Sequence, residues 1–207
     1  MEKKLNFYQL NHPTSKIRSL VVCLDVVGTK SASHTNTCEY IEQKLDELEI
    51  ELVNKATLEK GNYLRRSSDA YYFWFELEDA DYAINFTRNA VNDHAKHFWN
   101  SSSLAGGIAF GDVVINREII ESTCQYTAFA LALAASGGTF LLENARDESL
   151  AFYLLKKVAT NVGSVVVRKP RNIEYPIYAY HCYPLDEYAS KERERFVGKE
   201  AYGILSL

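Results

Sequence analysis

The sequence predicts an α+β domain in which buried strands alternate with amphipathic helices. Residues 18–28, RSLVVCLDVVG, form an almost continuous apolar run with β-branched residues, which is typical of a buried strand. Residues 38–56 repeat apolar side chains at spacings of three and four, which predicts a helix. Residues 63–76 indicate two strands joined by a tight turn that includes Asp69. Hydrophobic residues make up 47% and charged residues 24% of the chain, so disordered and fibrous structures are excluded.

The later elements extend this order. We expect a helix from about residue 78 to 98, two short strands within 104–115 that turn at Gly111–Asp112, and a helix from about 122 to 135. The core order is therefore β-α-β-β-α-β, the ferredoxin-like arrangement, which implies no function by itself. The C-terminal extensions are three strand-like segments, TFLLE, GSVVVRK and PIYAYHCY, and a charged helix, DEYASKERERF.

Composition gives the domain boundaries and the compartment. Residues 1–17 are polar and predict an N-terminal arm, residues 18–185 the folded domain, and residues 186–207 a charged helix or tail. The chain has no apolar run of the roughly 20 residues that a membrane span needs. Its N-terminus also lacks the apolar segment of a signal peptide, so we expect a cytoplasmic protein. The formal net charge of −4 disfavours nucleic acid as a partner, although a local cluster can still bind a small polyanion.

The cysteines do not predict a metal site. Cys23, Cys38, Cys124 and Cys182 are too far apart in the sequence for a C-x-x-C pair. We expect buried thiols in a reducing compartment rather than a zinc site.

Two aspartates carry the candidate chemistry. Asp25 closes an apolar strand, where a lone carboxylate is unfavourable unless it is paired or holds a cation. Gly28 permits a tight turn, so the amides of residues 26–29 can point at an anion. Asp69 lies on a turn that the predicted topology places beside the first strand, so both carboxylates can form a site for hard cations and phosphate. Taken singly, Asp25 could instead cap a helix or pair with Arg65, and Asp69 could be a plain turn residue.

The segments LDVVGT, SSDAYYFWF and GGIAFGDVVI resemble, in order, the three signature motifs of the class III nucleotidyl cyclases. The resemblance covers about residues 18–145 and implies a two-metal enzyme that uses Mn²⁺ or Mg²⁺. The implied reaction is attack of a ribose 3′-hydroxyl on the α-phosphate of the same nucleotide, which gives a 3′,5′-cyclic nucleotide and pyrophosphate. The residues that the resemblance assigns are the metal ligands Asp25, Val26 (through its carbonyl) and Asp69, and the triphosphate-binding amides of Val27, Gly28 and Thr29.

The chain departs from that family where the base and the transition state are bound. Arg65 takes the place of the lysine that reads the base in purine cyclases, with Arg66 beside it and Tyr63 nearby. The helix that supplies an asparagine and an arginine in the family reads YTAFALALAASGG here, with Tyr126 and Ala130 nearest to those positions. We therefore assign Arg66 as the catalytic cation and Tyr63 and Arg65 as nucleotide-binding residues. Arg65 is the alternative cation, and a solvated strand-edge role remains open for the pair.

The small size and the altered base pocket resemble the compact bacterial pyrimidine cyclases of Pycsar antiphage defence. This resemblance implies conversion of UTP to cyclic UMP, a messenger that acts on a separate effector. It also implies a homodimer with its sites at the subunit interface, and the strand AYYFWFE, apolar on both faces, fits cover by a second subunit. The alternatives are a cytidylate or adenylate cyclase and a non-catalytic nucleotide-binding module.

Overall fold

The computed structural model describes residues 15–94, 103–116, 119–135, 137–143, 164–168, 179–183 and 201–205. Within these ranges the chain alternates strands and helices as an α+β domain. The elements are β1 (Ser15–Val27), α1 (Thr29–Ala32), α2 (Cys38–Leu58), β2 (Asn62–Ser67), β3 (Ala70–Glu76), a 3-10 turn (Leu77–Asp79), α3 (Ala80–Asp93), β4 (Ser103–Asn116), β5 (Ile119–Ser122), α4 (Gln125–Ala134), β6 (Phe140–Glu143), β7 (Ser164–Arg168), β8 (Ala179–Tyr183) and β9 (Ala201–Leu205).

The strands form one sheet in the order β2-β3-β1-β4-β6-β8-β7-β9, with β5 paired to β4. Strand β1 lies between β3 and β4 and is antiparallel to both, while β4 and β6 are parallel. The first four strands therefore have the order β2-β3-β1-β4 that the β-α-β-β-α-β arrangement requires, and the predicted fold class is confirmed. β1 is the central strand of this half of the sheet, which explains its continuous apolar sequence.

Helices cover the sheet on both faces. Leu20, Val22 and Leu24 of β1 pack with Phe73 and Phe75 of β3 in the cluster under α2 and α3. On the opposite face, β1 and β3 pack in a second cluster with α4, which contributes Ala128, Leu131 and Ala132. The two clusters use alternating residues of each strand, as the pleat demands.

The second cluster changes the interpretation of the aromatic strand. Tyr72 is 7% exposed and Trp74 is 6% exposed in the single chain. The expectation that a second subunit covers this face of AYYFWFE is therefore wrong, because the chain buries both side chains by itself.

The predicted turn at Gly111–Asp112 is also wrong. β4 is one long strand whose pairing with β1 runs without a break from Ser103 to Ile115. A Cβ built on Gly111 would lie 2.6 Å from Thr123 Oγ1, and one on Gly107 would lie 2.0 Å from the Ala128 carbonyl oxygen. These glycines therefore permit close packing of the segment that carries α4. Glycine is needed here for tertiary packing, although in the sequence it is also typical of a turn.

Over the described residues the helix predictions hold with shifted ends; α3 starts at Ala80, and the last predicted residues of that helix, 95–98, lie outside the described ranges. α2 begins at Cys38 as predicted, whereas the predicted loop after Gly28 contains the short helix α1. α4 begins at Gln125 because the residues before it pair with β4 as β5. At the two ends of the chain, β1 starts at Ser15 and the sheet includes β9, a strand the sequence did not predict. The segment DEYASKERERF lies outside the described residues.

Three of the cysteines are buried and all four are free, but Cys38 at the start of α2 is exposed, contrary to expectation. In the ranges that the structure describes, no helix is both long and apolar enough to cross a membrane.

Candidate functional site

Asp25 and Asp69 lie side by side at one end of the sheet. Asp25 is opposite Ala70 in the register of β1 with β3. The amide of Val26 donates a hydrogen bond to the carbonyl oxygen of Asp69 at 3.1 Å. The sequence-predicted pair of aspartates is thus brought together by backbone contacts.

The turn that carries Asp69 is a tight connection between β2 and β3. Ser67 pairs with Ala70, so only Ser68 and Asp69 lie between the strands. Ser68 has a φ of 57°, in the left-handed region that two-residue hairpin turns use. This turn is too short to move independently of its strands, which makes the position of Asp69 a consequence of strand pairing.

The carboxyl group of Asp25 lies in a largely buried position. The residue is 8% exposed, and burial together with the nearby charge of Asp69 raises its pKa to about 7. No hydrogen-bond donor or cation among the described residues contacts this carboxylate. An oxygen ligand that is buried, unpaired and next to a second carboxylate is suited to a divalent cation, which would favour the ionised form.

The donor set around this pair consists of oxygen atoms. The described ranges contain no group of three or more His, Cys, Asp or Glu side chains placed to hold a metal ion. The site instead offers two carboxylates with the backbone carbonyl of Val26 between them in the chain. Oxygen donors of this kind fit Mg²⁺ or Mn²⁺ better than zinc, which prefers Cys and His ligands.

A glycine turn connects the end of β1 to α1. Gly28 has a φ of 105°, a conformation that residues with a side chain rarely adopt, and it occupies the N-cap position of α1. Thr29 donates its hydroxyl hydrogen to the carbonyl oxygen of Val26 at 2.9 Å. Val27 is 39% exposed. The turn therefore leaves the chain from Val27 to Thr29 at the surface, directly after Asp25.

A β-bulge at Leu64 determines which face of β2 each of the two arginines occupies. The register of β2 with β3 shifts between Tyr63 and Arg65. In a regular strand, Tyr63 and Arg66 would point to opposite faces, but the extra residue turns both toward α2. Arg65 points to the other face, where its guanidinium lies 6.0 Å from the centre of the Tyr72 ring. Strand alternation places Asp25 on that same face.

Arg66 is held by α2. Its guanidinium lies 2.6 Å from Asp46 Oδ1, 2.9 Å from Glu42 Oε2 and 3.4 Å from Glu49 Oε2. Tyr63 donates its hydroxyl hydrogen to Glu49 and packs against Phe73.

These contacts argue against the predicted catalytic role of Arg66 and the nucleotide-binding role of Tyr63. Both side chains are already bound on the α2 face, away from the face of Asp25. Sequence reasoning missed the three carboxylates that hold Arg66. Their spacing of four and three residues marks one face of α2, but that face is typical of solvated charge.

The outer face of α4 carries no charged group. Tyr126, the nearest residue to the family's asparagine, is 78% exposed, and Ala130 is half-buried. Leu133 on the same helix is 58% exposed. The described part of α4 therefore supplies no cation to the site.

Comparison with solved structures identifies the fold. No protein-family model and no curated protein sequence matches the chain. Among solved structures, it is similar to the adenylyl cyclase CyaB from P. aeruginosa, with a TM-score of 0.64 and 16% identity over 85% of this chain and 98% of that one. The guanylate cyclase domain of RhGC from Catenaria anguillulae in complex with GTP has a TM-score of 0.64 and 14% identity, over 82% and 98%.

A third similar structure is the non-canonical dimeric guanylyl cyclase domain of the RhoGC fusion protein from the aquatic fungus Blastocladiella emersonii, with a TM-score of 0.57 and 14% identity over 82% of this chain and 96% of that one. The chain thus has the fold of adenylyl and guanylyl cyclase domains over most of its length.

Proposed function

We propose that this protein is a nucleotidyl cyclase that converts a nucleoside triphosphate to its 3′,5′-cyclic monophosphate and pyrophosphate. The observation that carries this proposal is the buried, unpaired carboxyl group of Asp25 beside Asp69 at the end of β1. A carboxylate in that position has no structural partner among the described residues, so it is best explained as a cation ligand. The fold shared with cyclase domains supports the same conclusion.

Asp25, Asp69 and the carbonyl of Val26 would hold two Mn²⁺ or Mg²⁺ ions. Such ions, when bound, lower the pKa of a ribose hydroxyl and offset the charge of the phosphates. The chain's own part is to position the substrate. The amides of Val27, Gly28 and Thr29 would bind phosphate oxygens, and Gly28 provides the turn that presents them. Because the attack is intramolecular, this orientation should contribute much of the rate.

Of the two arginines in the β2–β3 hairpin, Arg65 lies on the same face of the sheet as Asp25. Since Arg66 is bound by α2, we assign to Arg65 the contact with the nucleotide. A guanidinium at this position differs from the lysine that reads purines, which supports a pyrimidine substrate, with UTP first and CTP second. ATP is the remaining alternative. A product of this kind would be a messenger for a separate effector in antiphage defence in the bacterial cytoplasm.

We also propose that the protein works as a homodimer with its sites at the subunit interface. The apolar outer face of α4 supports this, because Tyr126 and Leu133 are exposed where a soluble helix normally carries polar residues. Such an arrangement would let a second subunit supply the transition-state cation that α4 of the same chain lacks.

The direct test is incubation of the purified protein with Mn²⁺ and each of ATP, GTP, CTP and UTP, with the products identified by mass. We expect cyclic UMP to be the main product, and we expect Asp25→Asn and Asp69→Asn each to reduce its formation at least about 10²-fold. Asp93→Asn, on the surface at the end of α3, is the matched control and should keep full activity. Absence of a cyclic product from all four nucleotides would reject the cyclase.

A non-catalytic nucleotide-binding module is the second candidate, and the uncharged α4 favours it. The same experiment distinguishes the two when nucleotide binding is measured alongside. Binding of a triphosphate together with Mn²⁺, without any turnover, would identify the module.

A further inference from the structure

Arg66 joins the hairpin that carries Asp69 to helix α2. It is separated from Asp69 by only Ser67 and Ser68 and is 21% exposed at its side chain. Its partners Glu42, Asp46 and Glu49 lie at spacings of four and three residues, so they project from one face of α2. One guanidinium thus binds three consecutive positions of that face. The arrangement is a network with forked geometry rather than a single surface ion pair.

A second contact from the same strand reinforces this attachment. Tyr63 donates a hydrogen bond to Glu49, which is also one of the partners of Arg66. From β3, Tyr71 donates its hydroxyl hydrogen to the carbonyl oxygen of Leu45 at 2.8 Å. Tyr71 is opposite Arg66 in the register of the hairpin. Side chains from both strands of the hairpin therefore attach its inner face to α2.

The other side of the hairpin is fixed by β1. The hydrogen bond from the Val26 amide ends on the Asp69 carbonyl itself. The turn is thus held between β1 on one side and α2 on the other. This matters because Asp25 and Asp69 repel each other when both are ionised, so the turn that carries Asp69 has to be held against that repulsion.

We propose that Arg66 is a positioning residue whose ion pairs with α2 hold the β2–β3 turn so that Asp69 stays beside Asp25. The proposal rests on the function proposed above, because it takes the two aspartates as the cation site. Arg66 acts through Asp69 and does not touch the nucleotide. The bulge at Leu64 is part of this arrangement, because it turns Arg66 toward α2 and leaves Arg65 on the other face.

The decisive variant leaves Arg66 in place and removes its partners. In Glu42→Gln/Asp46→Asn the arginine is released from two carboxylates. We expect the Mn²⁺ concentration for half-maximal binding to rise about tenfold, the usual size of an effect on a residue behind a metal ligand. Glu39→Gln/Glu47→Gln changes the charge of α2 equally, without touching Arg66, and should bind Mn²⁺ as the wild type does. If Arg66 contacted the nucleotide, freeing it would leave Mn²⁺ binding unchanged, and this result overturns the proposal.

Arg66→Lys gives an independent measurement. Lysine keeps the charge but cannot form the forked contacts, so Mn²⁺ binding should weaken and kcat should return toward the wild-type value as Mn²⁺ is raised. A kcat loss that persists at saturating Mn²⁺ would instead place Arg66 in the transition state and overturn the positioning role. Thermal unfolding of each variant checks the fold. If Arg66→Lys does not fold, the result for Glu42→Gln/Asp46→Asn decides whether Arg66 has the positioning role.

Mn²⁺ binding is measured by electron paramagnetic resonance without nucleotide. The variant Asp25→Asn/Asp69→Asn, which lacks both carboxylates, is the non-binding reference. This readout separates the two proposals. Wild-type protein that binds Mn²⁺ through the aspartates but forms no cyclic product rejects the cyclase and leaves the role of Arg66 to be judged from binding. Unchanged binding in both Arg66-network variants rejects the positioning role whatever the activity.

Discussion

The Val26 amide and the Asp69 carbonyl oxygen are joined by a hydrogen bond of 3.1 Å. This bond ties the end of the central strand to the turn of the neighbouring hairpin. It places the two candidate cation ligands, Asp25 and Asp69, on segments that cannot move apart without breaking backbone pairing. The sheet therefore sets the backbone positions of the two aspartates, which is the kind of rigid support that a metal site requires.

Asp69→Asn should remove a ligand charge while keeping the turn. We expect turnover to fall by at least about 10²-fold, the scale of losing one strong electrostatic contact in an active site. The backbone bond to Val26 does not involve the side chain, so the melting temperature should stay close to that of the wild type. Steady-state kinetics and thermal unfolding check both statements, and unchanged turnover would exclude Asp69 as a ligand.

Asp25 should make the metal-free protein less stable as pH rises. Burial and Asp69 raise its pKa from 3.8 to about 7, so the folded state favours the protonated form. The contribution of Asp25 to the free energy of unfolding is complete below about pH 4 and is lost as pH rises through about 7. Its size is on the order of 4 kcal/mol. Urea unfolding from pH 4 to 8 measures this slope, and Asp25→Asn should flatten it.

Mn²⁺ should reverse that trend, because it binds the ionised carboxylate. We expect Mn²⁺ affinity to increase as pH rises through about 7. An affinity that is constant between pH 6 and 8 would contradict the assignment of Asp25 as a ligand.

The parts of the fold that the sequence predicted are those in which local pattern and tertiary burial agree. β1 and β3 are apolar on faces that are buried, and the apolar stripe of α2 faces the core. The turn expected at Gly111 does not form: a Gly-Asp pair favours a turn locally, whereas here the missing side chain lets Thr123 and Cys124 approach β4. No pattern along the chain distinguishes these two uses of glycine.

Of the candidate site, only the positions of the two aspartates could be predicted from the sequence. A carboxylate at the end of an apolar strand is a strong signal, and Asp25 is where that signal placed it. The basic half depends on the bulge at Leu64, which reverses the faces of Arg65 and Arg66. A bulge follows from how β2 and β3 pair, so the partners of Arg66 could not be read from the spacing of charges on α2.

Gly28→Ala should disturb the turn after Asp25. Alanine is strained at a φ of 105°, by about 1–2 kcal/mol. We expect the turn to shift and kcat/KM to fall on the order of 10²-fold, the loss that a displacement of about 1 Å can cause. Gly28→Asn should retain more activity, since asparagine adopts positive φ more readily. Wild-type kinetics for the alanine variant would show that this conformation is not needed.

Trp74 and Leu133 should respond differently to the same change. Trp74 is 6% exposed in the single chain, so Trp74→Glu buries an unpaired carboxylate and should unfold the protein. Leu133→Glu lies on the exposed face of α4 and should keep the fold but give monomers. Leu58→Glu, at an 84% exposed position of α2, is the control for an added surface charge. Light scattering that shows the same assembly for Leu133→Glu and the wild type would remove α4 from the interface.

Arg65 should determine which base is used. Its guanidinium shares a face with Asp25 and lies 6.0 Å from the Tyr72 ring centre, so it is free to contact a nucleotide bound at the aspartates. We expect Arg65→Ala to raise KM for UTP about tenfold, with a smaller loss in kcat, because one charge-assisted hydrogen bond is lost. The preference among the four triphosphates should flatten, and Arg65→Lys should recover only part of it, since an ammonium cannot make the forked contact.

Measurement of kcat and KM on all four triphosphates for both Arg65 variants decides its role. A fall in kcat that exceeds the rise in KM, with the base preference kept, would move Arg65 from base recognition to stabilisation of the transition state. Wild-type values for both variants would exclude Arg65 from the site. Because α2 already binds Arg66, the cation would then have to come from another segment, and Arg117 and Arg146 are the residues to change next.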